Sequence, residues 1–280
     1  MQRIWRFTAW LVGLFWLAAP ARAGEQKLDV KWLKGPATAY LKNIAEVKVP
    51  EGYLFADQKG TKMLLEQMGN PTDGNEIGFL APESTSWFVV FEFNEVGYVK
   101  DEEKDQLDAN KMLEQIRRGT ERSNERRAAM GAAPLFVTGW EQPPRYNPTT
   151  HNLEWAIRAE SEGKPILNYN TRLLGRRGVM SVNLVVDPDK LQATLPAFRQ
   201  LMADYSFQTG AKYAEFRPGD KIAAFGLAAL VTGGAAAVAV KLGFFAVLAK
   251  FFKAFWKLVV IGVVALGAGF KRLFGGRPQS

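Results

Sequence analysis

The stretch LEWAIRAESEGKPILNYNTRLLGRRGVMSVNLVV, residues 153–186, predicts three consecutive antiparallel strands. Apolar and β-branched residues are dense in each of them, and the strands are expected at 153–159, 165–174 and 179–186. The two connections between them are short and contain glycine and charged residues, as hairpin loops require. This stretch therefore indicates an antiparallel sheet.

The surrounding sequence extends the sheet and supplies helices to cover it. Further strands are predicted at 77–80, 86–94 and 135–140, and a proline-rich loop at 143–148. Helices are predicted at 59–68, at 108–130 and from Asp187 onward, where apolar residues recur at helical spacing. The predicted fold class is α+β, an antiparallel sheet with helices packed on one face.

The amino-terminal residues have the pattern of an export signal. Arg3 and Arg6 precede an apolar run at 7–19, and Ala21 and Ala23 place small residues at the −3 and −1 positions of a cleavage site. We expect a signal peptide over residues 1–23, removed after Ala23. The following domain then lies outside the cytoplasm, in a bacterial periplasm.

The carboxyl-terminal residues have the composition of a membrane anchor. Residues 222–240 are nineteen residues without a charge, and at about 1.5 Å per residue they match a hydrocarbon core of about 30 Å. Residues 242–270 are also apolar, but Lys250, Lys253 and Lys257 lie on one helical face. This second part is predicted as an interfacial helix or as a second membrane helix, and the sequence leaves both open.

Small residues recur every four positions in the predicted span, at Ala229, Gly233 and Ala237. Such a seam lets two membrane helices approach closely. It predicts self-association or packing on another membrane helix, although small residues are also simply tolerated in lipid.

The charge distribution supports three segments: a signal peptide at 1–23, a periplasmic α+β domain at 24–216 and a membrane anchor at 217–280. The net charge of +8 comes from the two ends, because residues 24–216 hold 24 basic and 27 acidic residues. A nucleic-acid partner is therefore not expected. The chain has no cysteine and one histidine, so neither a thiolate nor a histidine metal site is expected, and no cofactor is predicted.

Strand alternation suggests one candidate binding face. Leu153, Trp155 and Ile157 share a face that should meet the helices. The opposite face is expected to carry polar residues that could bind a carboxylate, phosphate or glycan, namely Arg158, Asn168, Asn170 and Arg172. An ordinary solvated sheet face has the same composition, so both interpretations stay open.

A set of short motifs supports a family resemblance. The motifs are Gly97–Asp101, Gly139-Trp140, Pro144-x-Tyr146, Leu153-x-Trp155-Ala156, Asn168–Gly178 and Phe216–Lys221. Together they resemble the uncharacterised membrane-anchored proteins grouped as domain of unknown function 2167. The resemblance implies a Gram-negative envelope protein and transfers no catalytic residue, and Asn147 departs from the acid expected after the tyrosine. The strand-then-helix ending also resembles small α+β domains of the PsbP type.

These observations predict a non-catalytic binding or interaction module of the cell envelope. It would be held at the inner membrane, with the bilayer and an envelope or inner-membrane protein as partners. The alternatives are a metal-independent enzyme acting on an envelope substrate, and an accessory subunit of an inner-membrane complex. A buried polar site with a carboxylate of raised pKa would favour the enzyme.

Overall fold

Eleven strands and four helices make up the part of the chain that the structure describes. The structure is a computed structural model, and it describes residues 29–233 except 69, 71 and 130–132. The strands are β1 Trp32–Lys34, β2 Ala37–Leu41, β3 Ala45–Val49, β4 Tyr53–Asp57, β5 Glu76–Pro82, β6 Trp87–Asn94, β7 Phe136–Asn147, β8 Asn152–Ser161, β9 Lys164–Leu174, β10 Val179–Val186 and β11 Tyr205–Phe207. The helices are α1 Gln58–Gln67, α2 Ala109–Ala129, α3 Leu191–Ala203 and α4 Leu227–Thr232.

Eight strands form one antiparallel sheet in the order β1-β4-β5-β6-β10-β9-β8-β7. Two meanders that are local in sequence, β4 to β6 and β7 to β10, join where β6 pairs with β10 along its whole length. The predicted strands at 153–159, 165–174 and 179–186 are confirmed as β8, β9 and β10. The join places β6, β10 and β9 at the centre of the sheet.

Strand β7 is longer than the sequence predicted. It runs through Pro143 and Pro144, where a loop was expected, and that prediction is wrong. Proline removes a hydrogen-bond donor, but β7 is the edge strand and its pairing with β8 shifts register three times. An edge strand with such irregularities tolerates proline.

Helices cover both faces of the large sheet, so the expectation of helices on one face is wrong. On one face, α3 and a small sheet of β11, β3 and β2 pack against Met180, Val182 and Leu184. On the other, α1 packs near β4 to β6, and α2 and α4 pack near Trp155 and Ile157. The reason is that the central strands carry mostly buried side chains on both sides, and one layer covers only one side.

The segment after β11 returns to the large sheet and is fixed there. Arg176 donates two hydrogen bonds to the carboxylate of Asp220, at 2.7 and 2.8 Å. These bonds and a backbone bond from Arg217 hold the pKa of Asp220 down at about 2. Gly97 has φ +100°, and a Cβ there would lie 2.6 Å from the carbonyl oxygen of Lys221. The backbone at residue 97 therefore needs glycine.

The beginning of the predicted membrane span is folded into the domain. Ile222 pairs with Tyr98, and the Glu103 carboxylate accepts a 2.7 Å hydrogen bond from the backbone N–H of Ala228 in the first turn of α4. The side chains of Leu227 and Val231 are 0% exposed. Within the described residues, the helix thus starts at Leu227, whereas the predicted span started at residue 222. Residues 222–226 precede the helix because Ile222 pairs with Tyr98 of the domain.

Residues 234–280 lie outside the described residues, and with them most of the predicted span and the whole predicted second segment at 242–270. None of the helices among residues 29–233 is long and apolar enough to cross a membrane.

The burial of Leu227 yields a stability prediction. Leu227→Ala should lower the free energy of unfolding by about 2–5 kcal/mol, because it empties a fully buried site in the core. Denaturant unfolding of the full chain in detergent, followed by tryptophan fluorescence, measures this. The half-buried Leu230 on the same helix provides the control, and Leu230→Ala should cost clearly less. An unchanged unfolding midpoint for Leu227→Ala would contradict the docking of α4.

Candidate functional site

Polar side chains line up across the centre of the large sheet, on the face that also carries Trp155. Antiparallel pairing places Glu76 opposite Glu92, Glu92 opposite Ser181, and Ser181 opposite Arg172. The neighbouring row contains Asn183, Asn170 and Trp155, again directly paired. We call this set the central polar cluster; its members are Glu76, Glu92, Trp155, Asn168, Asn170, Arg172, Ser181 and Asn183.

Asn183 connects the charged members of the cluster. Its side-chain oxygen accepts a 3.1 Å hydrogen bond from Nη1 of Arg172, and its Nδ2 donates to Oε1 of Glu92 at 3.2 Å. The Arg172 guanidinium lies over the Trp155 ring, 4.9 Å from its centroid, which is the geometry of a cation–π contact. Arg172 is 8% exposed and Asn183 3%. The arginine is thus held in one orientation from two sides.

Glu76 and Glu92 have different surroundings. Backbone N–H groups of Asp73 and Gly74 donate to the carboxylate of Glu76 at 3.1 and 3.0 Å. Burial raises the pKa of Glu92 to about 7, and the nearby charges of Glu76 and Asp73 also raise it, while Arg172 and the bond from Asn183 oppose the shift. Glu92 therefore changes charge near neutral pH.

Burial also acts on Arg172, lowering its pKa to about 10, and the charge of Glu92 partly opposes this. The guanidinium stays protonated at neutral pH. A buried cation of this kind is costly without a nearby anion, and Glu92 supplies a full negative charge only above its own pKa.

Several buried polar atoms of the cluster lack a partner. Among the described residues, five buried side-chain atoms have no hydrogen bond, and three of them lie on this face: Trp155 Nε1, Asn168 Nδ2 and Asn170 Oδ1. Trp155 is 0% and Asn170 1% exposed. Since native proteins satisfy most buried polar groups, three such atoms on one face are unusual, and a water or a polar ligand would satisfy them.

Three of the four predicted binding residues meet here, and the fourth does not. Asn168, Asn170 and Arg172 share the face of Trp155, whereas Arg158 is paired with Leu167 and lies on the opposite face. Arg158 donates to the Trp140 carbonyl and lies 3.7 Å from Glu141, with 59% of its side chain exposed. Its inclusion was wrong because a shift of one residue in register changes the face.

The predicted solvated face is in fact covered, and this is a second correction. The polar residues lie on the face of Leu153, Trp155 and Ile157, under the helices, and not opposite to it. The sequence contained one signal for this: Glu92 is the only charge in the strand WFVVFEFN, and it follows five apolar residues at the centre of the sheet. A charge in such a strand has to be compensated by a neighbour.

A second polar group lies beside the docked segment. The Tyr146 hydroxyl donates to Asp101 at 2.9 Å and lies 3.0 Å from Nδ1 of His151. Because the hydroxyl proton goes to Asp101, Nδ1 of His151 is the donor in the second bond. Burial and the bond to Asp101 raise the pKa of Tyr146. The His151 ring packs on Tyr213, with centroids 4.3 Å apart.

The structure contains no obvious metal site in the part that it describes. Within residues 29–233, no group of three or more histidine, aspartate or glutamate side chains is arranged to hold a metal ion.

Comparison with protein families gives a match over most of the chain. The family described as "Protein of unknown function (DUF2167)" matches residues 34–267, which is most of the chain and includes the whole central polar cluster. The chain belongs to the DUF2167 family. The resemblance inferred from the sequence motifs is confirmed.

Among solved structures, this DUF2167 protein is similar to the cyanobacterial PsbP protein CyanoP from Synechocystis sp. PCC 6803, solved in solution. The two are 12% identical with a TM-score of 0.39, over 67% of this chain and 98% of that one. No curated protein matches the chain.

The family motifs lie at two places in this DUF2167 structure. Asn168, Asn170 and Arg172 belong to the central polar cluster. Tyr98, Asp101 and the residues around Asp220 lie where the last described segment docks. Of the predicted helix seam, Ala229 is on α4, Gly233 ends that helix with φ +76°, and Ala237 lies outside the described residues.

The raised pKa of Glu92 predicts a pH-dependent stability. The unfolded chain releases this proton near pH 4.5 and the folded protein near pH 7, so stability falls as pH rises through this window. Glu92→Gln removes the fall, and its gain over the unchanged protein should reach about 1–3 kcal/mol at pH 8. Urea unfolding at pH 4.5 and 8 measures it, with the exposed Glu95→Gln as control. An equal difference at both pH values would contradict the assignment.

Proposed function

We propose that this DUF2167 protein is an exported, membrane-anchored envelope protein whose domain binds a small polar ligand at the central polar cluster. The signal sequence at 1–23 and the largely apolar residues 234–270, which follow α4, support export and anchoring. Its partners would be the bilayer and an envelope protein. The domain itself acts by binding, without a metal or a thiol.

The observation that carries the binding role is the set of unpartnered atoms on Trp155, Asn168 and Asn170. A purely structural polar network would be expected to satisfy its own members. Here Arg172 donates a hydrogen bond to Asn183, and Asn183 donates one to Glu92. The three neighbouring atoms on Trp155, Asn168 and Asn170 have no hydrogen-bond partner. A ligand that fills them removes an energetic cost already present in the fold, which favours binding.

One end of the cluster is partly exposed to solvent. Asn170 and Trp155 are fully covered, but Glu92 and Asn94 at the other end of the site are partly exposed. Asn94 donates to Ser181 within the same polar face. A small molecule can therefore approach from the Glu92 end.

One observation favours a second function, the enzyme. Glu92 has a pKa of about 7 and lies in a buried polar setting, and such a group can give and take a proton at neutral pH. In that case Glu92 would be the general acid or base and Arg172 would orient the substrate. Glu92→Gln separates the two functions: it preserves the binding of a ligand, but it abolishes turnover of a substrate.

The envelope location gives a first prediction. Expressed in a Gram-negative host, the mature protein should begin at Gly24 and fractionate with the inner membrane. Since the chain has no cysteine, Gln279→Cys provides a unique label. A membrane-impermeant thiol reagent should leave it unlabelled if the chain crosses once. Labelling from outside supports a second crossing, and an uncleaved protein in the cytosol contradicts the proposal.

Ligand binding gives a second prediction. The full-length protein, extracted from membranes and studied by native mass spectrometry, should carry a bound small molecule. Arg172→Met should lose it because the site loses its only cation, whereas Arg158→Met, on the opposite face of the sheet, should retain it. Circular dichroism checks that both variants are folded. Equal occupancy in both variants, or none in the unchanged protein, would contradict the proposal.

A further inference from the structure

Arg172 has unused hydrogen-bonding capacity beside the unpartnered atoms. Its two hydrogen bonds, to the Thr171 carbonyl and to Asn183, both leave from Nη1 at 3.1 Å. Its Nε and Nη2 bond to no residue in the described part of the chain, and no carboxylate there lies within ion-pair distance. The edge formed by Nε and Nη2 is the one that binds carboxylates in a bidentate manner. This edge therefore suits an anion.

The unpartnered atoms also define which hydrogen bonds a ligand should make. Trp155 Nε1 is a donor on the ring that lies against the guanidinium, and it suits an oxygen of the same anion. Asn170 Oδ1 is an acceptor, and it needs a donor from the ligand. The Trp155 ring that supports the guanidinium is directly opposite Asn170 in the sheet. Trp155 and Asn170 are thus the unpartnered residues that the pairing brings closest to the guanidinium.

The charges around the site exclude a highly charged ligand. Glu92 on β6, Glu76 on β5 and Asp73 in the preceding turn face the cluster, with Arg172 as the compensating cation. A phosphate dianion would add two negative charges next to these carboxylates. A monoanion adds one, which Arg172 neutralises.

We propose that the central polar cluster binds a small carboxylate that bears a neighbouring hydroxyl or amide hydrogen. The carboxylate occupies the free edge of Arg172, and the hydrogen is donated to Oδ1 of Asn170. This inference rests on the proposed binding function and names the chemical class of its ligand.

Binding of such an anion is coupled to a proton at Glu92. The Arg172 charge holds the pKa of Glu92 below the value that burial, Glu76 and Asp73 would give it. A bound carboxylate neutralises that charge, so the liganded protein holds the Glu92 proton more tightly. By linkage, affinity is highest at acidic pH and falls as pH rises through and above about 7, by up to tenfold per pH unit.

The test uses the full chain in detergent and four probes in ligand-observed NMR titrations. Glycolate carries both features, acetate lacks the hydroxyl, glycolamide lacks the charge and inorganic phosphate carries two charges. We expect glycolate to bind at least tenfold more tightly than glycolamide or phosphate, and more tightly than acetate. Arg172→Met should weaken glycolate binding at least tenfold, with Arg158→Met as the matched control.

Three further results decide the proposal. Glu92→Gln should remove most of the pH dependence of the glycolate affinity, which a merely structural role of Glu92 would not produce. If Arg172→Met fails to fold, Arg172→Lys serves instead. Lysine keeps the positive charge but cannot bind a carboxylate in a bidentate manner, so this variant should still weaken glycolate binding. Equal binding of glycolamide, or tighter binding of phosphate, overturns the carboxylate class.

The two proposals can fail separately. A bound molecule of another class, together with no glycolate binding, overturns this inference and leaves the binding function standing. No bound molecule and no binding of any probe overturns both, and ordered water alone then fills the cluster.

Discussion

Strands β9 and β10 are covered on both faces, so every polar side chain on them must find its partner inside the protein. This constraint explains the order within the central polar cluster. Asn183 bonds to Arg172 and Glu92, Arg172 rests on Trp155, and Glu92 is held near its neutral form by burial. It also makes the unpartnered atoms of Trp155, Asn168 and Asn170 informative, because a covered sheet offers no bulk water to satisfy them.

The sequence predicted the elements of this fold better than their arrangement. Apolar and β-branched runs located β8, β9 and β10, apolar spacing located α3, and start and stop signals located α1 and α2, since all of these patterns are local. The faces depended on register, which no local pattern contains. Ile157 rather than Arg158 is opposite Asn168, and that single step separated Arg158 from the other three predicted residues. The same missing information made a covered polar face look like a solvated one.

The boundary between the domain and the predicted anchor shows a second limit of composition. Apolar residues suit both a protein core and lipid, so hydropathy assigned all of 222–240 to the membrane. Leu227 and Val231 are instead core residues of the domain, placed there by the bond from Ala228 to Glu103 and by the Arg176–Asp220 pair. Such long-range partners, over a hundred residues apart for Glu103 and Ala228, are found only once the fold is known.

The central claim is that the polar cluster binds a ligand that satisfies its unpartnered atoms. A high-resolution crystal structure of the full-length protein, isolated from its own membranes without added carboxylates, tests this most directly. The account predicts non-water density that joins the free edge of Arg172 to Trp155 Nε1 and Asn170 Oδ1. Separate ordered waters at these atoms, or side chains turned to bond one another, would contradict it.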